Sequence, residues 1–193
     1  MKHGWMVTLL LVGLFLLSHV VGLLTLNQYA TVQEEVVDGA VEKTVSWGEL
    51  PYGFERPQIE ESSSFFVLLL FVAFATVLVL LLMRFHLGLL WKVWFFASVW
   101  FCLLIAFGAW LHAGVALVLA FLLTWWKVVR QHLIVHNVTE VFLYGGLAAV
   151  FVPFLSVSTV VLLLLAISVY DMIAVWKTKH MVKMAQFQTT MKV

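Results

Sequence analysis

The sequence predicts an all-α fold: a polytopic membrane helix bundle of six transmembrane helices with both termini in the cytoplasm. Two observations carry this prediction. Of the 193 residues, 64% are hydrophobic and 11% are charged, and the mean hydropathy is +1.07, whereas soluble domains are about half apolar and about one quarter charged. In addition, long apolar runs recur along the chain, each about as long as a membrane-spanning helix.

The composition also excludes several classes of protein. Sixteen Phe and nine Trp with only three Pro are not typical of a disordered chain. A net charge of +1 provides no basic field for a nucleic-acid partner. The single cysteine, Cys102, excludes an intrachain disulfide and a cysteine-based zinc site. We therefore expect a multi-pass protein of the cell membrane that is surrounded by the lipid bilayer and needs no cofactor or metal.

The first apolar run resembles a signal peptide because Lys2 precedes it. It nevertheless exceeds the 7 to 15 residues typical of a signal-peptide core, so we interpret it as a retained span. Two later stretches, 88–126 and 139–176, are each too long for one span, since 38 residues of helix would measure about 57 Å. Gly108 and Pro153 mark their predicted turns. The predicted spans are residues 7–26, 65–83, 88–109, 112–126, 139–154 and 158–176.

The charges orient these spans. The first loop, residues 27–64, holds eight of the ten acidic residues and two basic ones, which predicts an acidic outer loop. We expect most of it to be a solvated connector, with turns or a short hairpin at residues 47–57. The tail, residues 177–193, is basic, and the remaining basic residues lie in segments on the same side, which predicts the cytoplasmic side. These basic residues are Lys2, Arg84, Lys92, Lys127, Arg130, Lys177, Lys179, Lys183 and Lys192.

One acidic residue stands out. Asp171 has apolar sequence on both sides, in LLLLAISVYDMIAVW. An Asp at the centre of a membrane costs about 2.5 to 3.5 kcal/mol on insertion scales, so such residues usually face a bundle interior or a water-filled cavity. Asp171 precedes Lys177 by six residues, about 9 Å of helix, which places it below the headgroups rather than at the bilayer centre. The alternative is a protonated Asp that hydrogen-bonds a neighbouring helix.

A single carboxyl group cannot hydrolyse a peptide bond in the manner of an aspartic protease, which needs one group as base and another as acid. Outside the outer loop, the only other acid is Glu140, at the start of the fifth span and close to the interface. His132, His136 and Glu140 are also spaced as a possible metal-binding set on one helical face. The set lacks an HExxH motif, so a contact with headgroups or water is the competing interpretation. Small residues in the fifth span, Gly145, Gly146, Ala148 and Ala149, indicate close helix packing.

The segment SVYDMIAVWKTKHM, residues 168–181, resembles the sixth-span segment of archaeal presenilin-like aspartic proteases, the presenilin and signal peptide peptidase family. Residues 136–153, HNVTEVFLYGGLAAVFVP, also resemble the fifth span of that family. The resemblance covers residues 132–184 well, and the earlier spans only by number, orientation and the long first outer loop.

The resemblance implies an intramembrane-cleaving aspartic endopeptidase in which Asp171 is one of two catalytic aspartates and Tyr170 flanks it. Its expected partners are substrates with a transmembrane helix and a C-terminal portion carrying the family's Gly-x-Gly-Asp and Pro-Ala-Leu motifs. Neither motif occurs in this sequence. The chain therefore looks like the N-terminal six-span portion of such a protease, and we expect it to be inactive alone.

The competing hypothesis is a non-enzymatic six-span protein for binding, transport or scaffolding, with Asp171 as a polar packing residue or a cation site. The tail after Asp171 has two interpretations as well. It either receives an extended substrate segment or forms a basic juxtamembrane helix on anionic lipid.

Overall fold

The computed structural model describes residues 4–37, 40–130 and 132–191. Lys2 and Lys192, which were assigned to the cytoplasmic side, and Asp38, one of the eight acidic residues of the first loop, lie outside these residues. The helices are α1 (Trp5–Tyr29), α2 (Glu61–Arg84), α3 (Gly88–Gly108), α4 (Ala113–Arg130), α5 (Leu133–Phe151), α6 (Val157–Trp176) and α7 (His180–Met191). An antiparallel hairpin, β1 (Ala30–Val37) and β2 (Ala40–Trp47), follows α1. The 3-10 turns are Pro51–Gly53 and Val152–Phe154.

Six of these helices, α1 to α6, are long and apolar enough to cross a membrane. The predicted all-α, six-span membrane fold is therefore confirmed. The hairpin adds a small amount of sheet outside the spans. α7 has 12 residues, about 18 Å at 1.5 Å per residue, which is too short to span.

The described chain separates into two compact units. The first unit contains the residues up to Arg56 together with Ser98–Pro153. The second unit contains Pro57–Ala97 and the residues from Phe154 onward. α3 contributes its C-terminal part to the first unit and its N-terminal part to the second.

Glycines determine the helix packing of the first unit. A Cβ atom on Gly146 of α5 would lie 1.9 Å from the carbonyl oxygen of Cys102 on α3, so α5 and α3 approach backbone to backbone. A Cβ on the adjacent Gly145 would lie 3.1 Å from Oγ1 of Thr25 on α1. Small residues permit this approach in membranes, where association depends on close packing and not on the hydrophobic effect. Close packing at the small-residue patch of the fifth span is confirmed.

The end of the outer loop is anchored to the first unit. Leu50 is buried, with 3% of its surface exposed. The ring of Pro51 packs directly on Gly108, because a Cβ atom added to that glycine would lie only 2.5 Å from the ring. The hydroxyl of Tyr52 donates a hydrogen bond to the carbonyl of Ala113, the first residue of α4. The expectation of a solvated connector is wrong for this part of the loop, because its apolar side chains cover the α3–α4 turn.

Arg56 completes the anchor. Its guanidinium donates to the carbonyl of Gly48 and, through Nε at 3.2 Å, to the carbonyl of Ala149 at the end of α5. It also lies over the ring of Tyr29, 5.7 Å from the centroid. Burial lowers the pKa of Arg56 from its ordinary value, and nearby Tyr29 opposes the shift. The hydroxyl of Tyr29 donates to the carbonyl of Ile105 at 2.7 Å.

In the second unit, α2 packs against α6 through small and polar residues. Oγ of Ser64 lies 3.4 Å from Oγ1 of Thr159, and both residues are buried. Ala174, near the other end of α6, is completely buried. Ser156 caps α6 by accepting a hydrogen bond from the backbone N–H of Thr159 at 3.2 Å, which satisfies one of the free donors of the first turn. α6 therefore starts at a defined residue after Pro153, as the predicted turn requires.

Candidate functional site

Asp171 lies within α6, five residues before the helix ends at Trp176. Its side chain is partly exposed. Among the residues that the structure describes, no hydrogen bond or ion pair involves its carboxyl group. The alternative of a packing Asp that hydrogen-bonds a neighbouring helix therefore has no partner group within the described chain.

Asp171 lies at the edge between two faces of α6. Thr159, Tyr170 and Ala174 point toward α2 or are buried. On the other side, Leu164 and Val175 are 63% and 40% exposed, and they share a helical stripe with Asp171 because their spacing is seven and four residues. We call this exposed stripe the open face of α6. A carboxylate facing acyl chains is costly, so the open face needs water or protein beside Asp171.

Tyr170, next to Asp171, is held by two other helices. Its phenol oxygen lies 2.9 Å from Oγ1 of Thr76 on α2 and 2.9 Å from Nε2 of His180 at the start of α7. α7 packs against both α6 and α2. The tail is therefore helical over His180–Met191, and its contact with lipid or with a substrate segment stays a prediction.

Glu140, the other acid outside the outer loop, has a partner in the first unit. It accepts a hydrogen bond from the ammonium group of Lys127 on α4. The side chain of Lys127 is 3% exposed and that of Glu140 is 31% exposed, so the pair is largely withdrawn from solvent. Glu140 therefore serves as the counterion of Lys127, a lysine buried within α4.

The proposed metal-binding set does not form as the spacing suggests. α5 begins at Leu133, and His132 precedes it with an extended backbone, φ −80° and ψ 128°. Its carbonyl oxygen accepts a hydrogen bond from the backbone N–H of His136 at 2.9 Å, so His132 is the N-cap of α5, one turn before His136 but with a non-helical backbone. His136 remains near Glu140, with Nε2 3.8 Å from Oε1. No cluster of three metal-ligating residues occurs among the described residues.

A groove between α1 and α5 borders this ion pair. It has a volume of about 660 Å³ and is lined by apolar residues of both helices, with Ser18, His19, Asn137, Glu140 and Tyr144 as its polar part. The imidazole Nδ1 of His19 bonds within its own helix, 2.9 Å from the carbonyl oxygen of Phe15. The groove belongs to the first unit, and the side chains of His19 and Glu140 in its lining already have hydrogen-bond partners.

Sequence reasoning identified Asp171 and Tyr170 but missed the two side chains that hold Tyr170. Thr76 is the single polar residue of the predicted second span, residues 65–83, but one threonine in an apolar span does not indicate which residue it contacts. His180 lies in the KTKHM segment that follows the sixth span, residues 177–181. Its contact with Tyr170 depends on the turn at Lys179, whose φ is +54°. A positive φ at a lysine is not readable from the residue type.

The chain is thus a multi-pass membrane protein whose sixth spanning helix carries, beside an anchored tyrosine, a carboxyl group that has no partner in the part of the chain that the structure describes. A family profile described as signal-peptide peptidase, presenilin aspartyl protease matches residues 35–193. The chain belongs to this family of intramembrane aspartyl proteases. Neither a curated protein nor a solved structure matches it significantly.

Proposed function

We propose that Asp171 is one of the two catalytic aspartates of an intramembrane endopeptidase that hydrolyses peptide bonds in transmembrane helices. The observation that carries the proposal is the carboxyl group of Asp171, which lies within a spanning helix without a partner among the described residues, at the edge of the open face of α6. Membership in the aspartyl protease family supports it.

The chemistry requires a second carboxyl group beside Asp171. Glu140 is engaged by Lys127, so a polypeptide segment outside this sequence, carrying a Gly-x-Gly-Asp motif, supplies the partner in our proposal. The open face of α6 is where it docks. This chain is then inactive without that segment.

In the complete site, the two carboxyl groups share one proton because two like charges at contact distance cannot both ionise. The ionised group takes a proton from water as the water oxygen attacks the carbonyl carbon, and the protonated group donates to the carbonyl oxygen. Breakdown returns that proton and transfers another to the leaving amine. The two groups titrate as a pair.

The substrate in this proposal is a membrane-spanning helix that unwinds locally, because helical peptide carbonyls are shielded by their own hydrogen bonds. Water reaches the pair from the side at which α6 ends. The basic residues at that end, Lys177, Lys179 and Lys183, support its assignment to the cytoplasm.

A co-expression assay tests the proposal. The chain is produced with a C-terminal polypeptide containing Gly-x-Gly-Asp and with a membrane-tethered reporter whose single span is the substrate. We expect cleavage that Asp171→Asn and Asp171→Ala abolish, and no cleavage when the chain is produced alone.

Glu55→Gln is the matched control, since Glu55 is an exposed carboxylate of the outer loop and its loss should leave cleavage unchanged. Undiminished cleavage by either Asp171 variant would contradict the proposal and favour the non-enzymatic hypothesis.

A further inference from the structure

A chain of hydrogen bonds joins three helices of the second unit beside Asp171. The phenol oxygen of Tyr170 is the central atom, 2.9 Å from Oγ1 of Thr76 on α2 and 2.9 Å from Nε2 of His180 on α7. The rings of Tyr170 and His180 are also in contact, with centroids 5.7 Å apart. Tyr170 is thus fixed from two sides, whereas Asp171 has no such contact among the described residues.

The available protons assign a direction to these bonds. The hydroxyl of Thr76 donates its one proton to the carbonyl of Val72 at 2.9 Å, so its oxygen accepts from Tyr170. The phenol oxygen then accepts from Nε2–H of His180, because its own proton is already used. The hydroxyl of Thr178 lies 3.4 Å from the carbonyl oxygens of Ile173 and Ala174 but only 2.5 Å from Nδ1 of His180. Because the imidazole nitrogen is by far the nearest acceptor, the hydroxyl donates its one proton to Nδ1 and completes the chain. Every bond has one proton when His180 is neutral and protonated on Nε2.

The turn between α6 and α7 brings His180 into position. Thr178 bonds through its backbone N–H to the carbonyl of Ile173 at 3.1 Å, and Lys179 follows with φ +54°. This left-handed residue reverses the chain, so that the first residue of α7 lies over Tyr170. Further along α7, Phe187 contacts Trp91 at the start of α3, with ring centroids 6.4 Å apart. α7 is therefore anchored at both of its ends within the second unit.

We infer that His180 is a positioning residue for the protease. His180 holds Tyr170 through Nε2 and thereby fixes the position of Asp171. This inference rests on the proposed function. Asp171 directly follows Tyr170 in α6, and Tyr170 is held by contacts with α2 and α7. The backbone of Asp171 therefore moves with Tyr170. The segment after the sixth span is then part of the active-site scaffold. A misplacement of about 1 Å in a reacting group can cost about a hundredfold in rate.

Variants of His180 separate this role from simple packing. His180→Ala removes the donor, whereas His180→Gln can place an amide N–H near the position of Nε2. In the co-expressed complex, we expect kcat to fall about tenfold to a hundredfold in His180→Ala with KM nearly unchanged, because the loss concerns the transition state. His180→Gln should recover most of the loss.

A double-variant cycle tests whether His180 acts through Tyr170. Tyr170→Phe removes the phenol oxygen and should lower kcat to a similar extent. If both residues belong to one chain of contacts, Tyr170→Phe with His180→Ala should be little worse than Tyr170→Phe alone. Independent, multiplying losses would overturn the inference. Gln186→Ala, at an exposed position of α7, is the control for general disturbance of the helix and should be neutral.

Hydrogen exchange of α7 gives a readout that does not need activity. We expect faster exchange in His180→Ala and recovery in His180→Gln. If His180→Ala fails to fold, His180→Gln and Tyr170→Phe still carry the test. Unchanged kcat and unchanged exchange in His180→Ala, with cleavage abolished by Asp171→Asn, would overturn the inference alone. Cleavage that survives Asp171→Asn would overturn the proposed function and the catalytic part of the inference with it, even where exchange confirms the docking of α7.

Discussion

The ion pair between Lys127 and Glu140 predicts an unequal response to removal of its two partners. Lys127 is 3% exposed and Glu140 is 31% exposed, so each single substitution leaves a different charge behind. Glu140→Gln leaves a buried ammonium group without a counterion. Lys127→Met leaves a carboxylate that still reaches solvent and has His136 at 3.8 Å. Glu140→Gln should therefore destabilise the protein more.

The magnitudes follow from the burial of each group. Breaking a buried pair by removing one partner typically costs 3 to 5 kcal/mol, and we expect about 3 kcal/mol for Glu140→Gln because Gln still accepts a hydrogen bond. For Lys127→Met we expect about 1 kcal/mol, because the remaining carboxylate is partly solvated and the methionine fills most of the space. The double variant should lose about 1 kcal/mol rather than the sum of about 4 kcal/mol, since it leaves no unpaired charge.

Reversible unfolding in mixed micelles, followed by tryptophan fluorescence as dodecyl sulfate is added, measures these free energies. The comparison needs the two single variants, the double variant and the unchanged chain. Equal losses in the two single variants, or additive losses in the double variant, would refute this account of the pair.

Two further predictions concern packing and capping. Gly146→Ala should cost more than about 3 kcal/mol or prevent folding, because the new Cβ would lie 1.9 Å from a backbone oxygen of α3. Gly13→Ala is the control, and it should be neutral or slightly stabilising because nothing lies within 4 Å of its new Cβ. Equal effects in the same micelle assay would contradict the close α3–α5 approach. Ser156→Ala should cost about 1 kcal/mol through loss of the α6 cap. Ser168→Ala, at an exposed position inside α6, is the control and should be nearly neutral; an equal loss in both would argue against a capping role.

The sequence allowed the spans to be predicted because twenty apolar residues have one stable arrangement in a bilayer, a helix whose backbone bonds are internal. Asp171 was identifiable for the related reason that a carboxyl group among apolar residues is costly. The turn before α6 was readable from Pro153, because proline does not continue a helix, whereas the cap at Ser156 was found only in the structure.

Contacts between distant residues were not predictable in the same way. Lys127 was assigned to a loop on the cytoplasmic side and Glu140 to the interface, although the structure pairs them with Lys127 buried. A single charged residue at the end of an apolar run does not indicate a partner on another helix. Leu50 was placed in a solvated loop because the charges around it dominate the pattern. His180 reaches Tyr170 only through a left-handed lysine. Each of these depends on the tertiary arrangement and not on a local pattern.

The most direct test of the central claim, that Asp171 is one of two carboxyl groups that act on the scissile carbonyl, is the binding of a transition-state analogue. A helical peptide with a hydroxyl-bearing tetrahedral centre in place of one carbonyl should bind the co-expressed complex at least about a hundredfold more tightly than the matching unmodified peptide. Asp171→Asn should remove this preference and leave binding of the unmodified peptide unchanged. An analogue preference that persists in Asp171→Asn would contradict the claim.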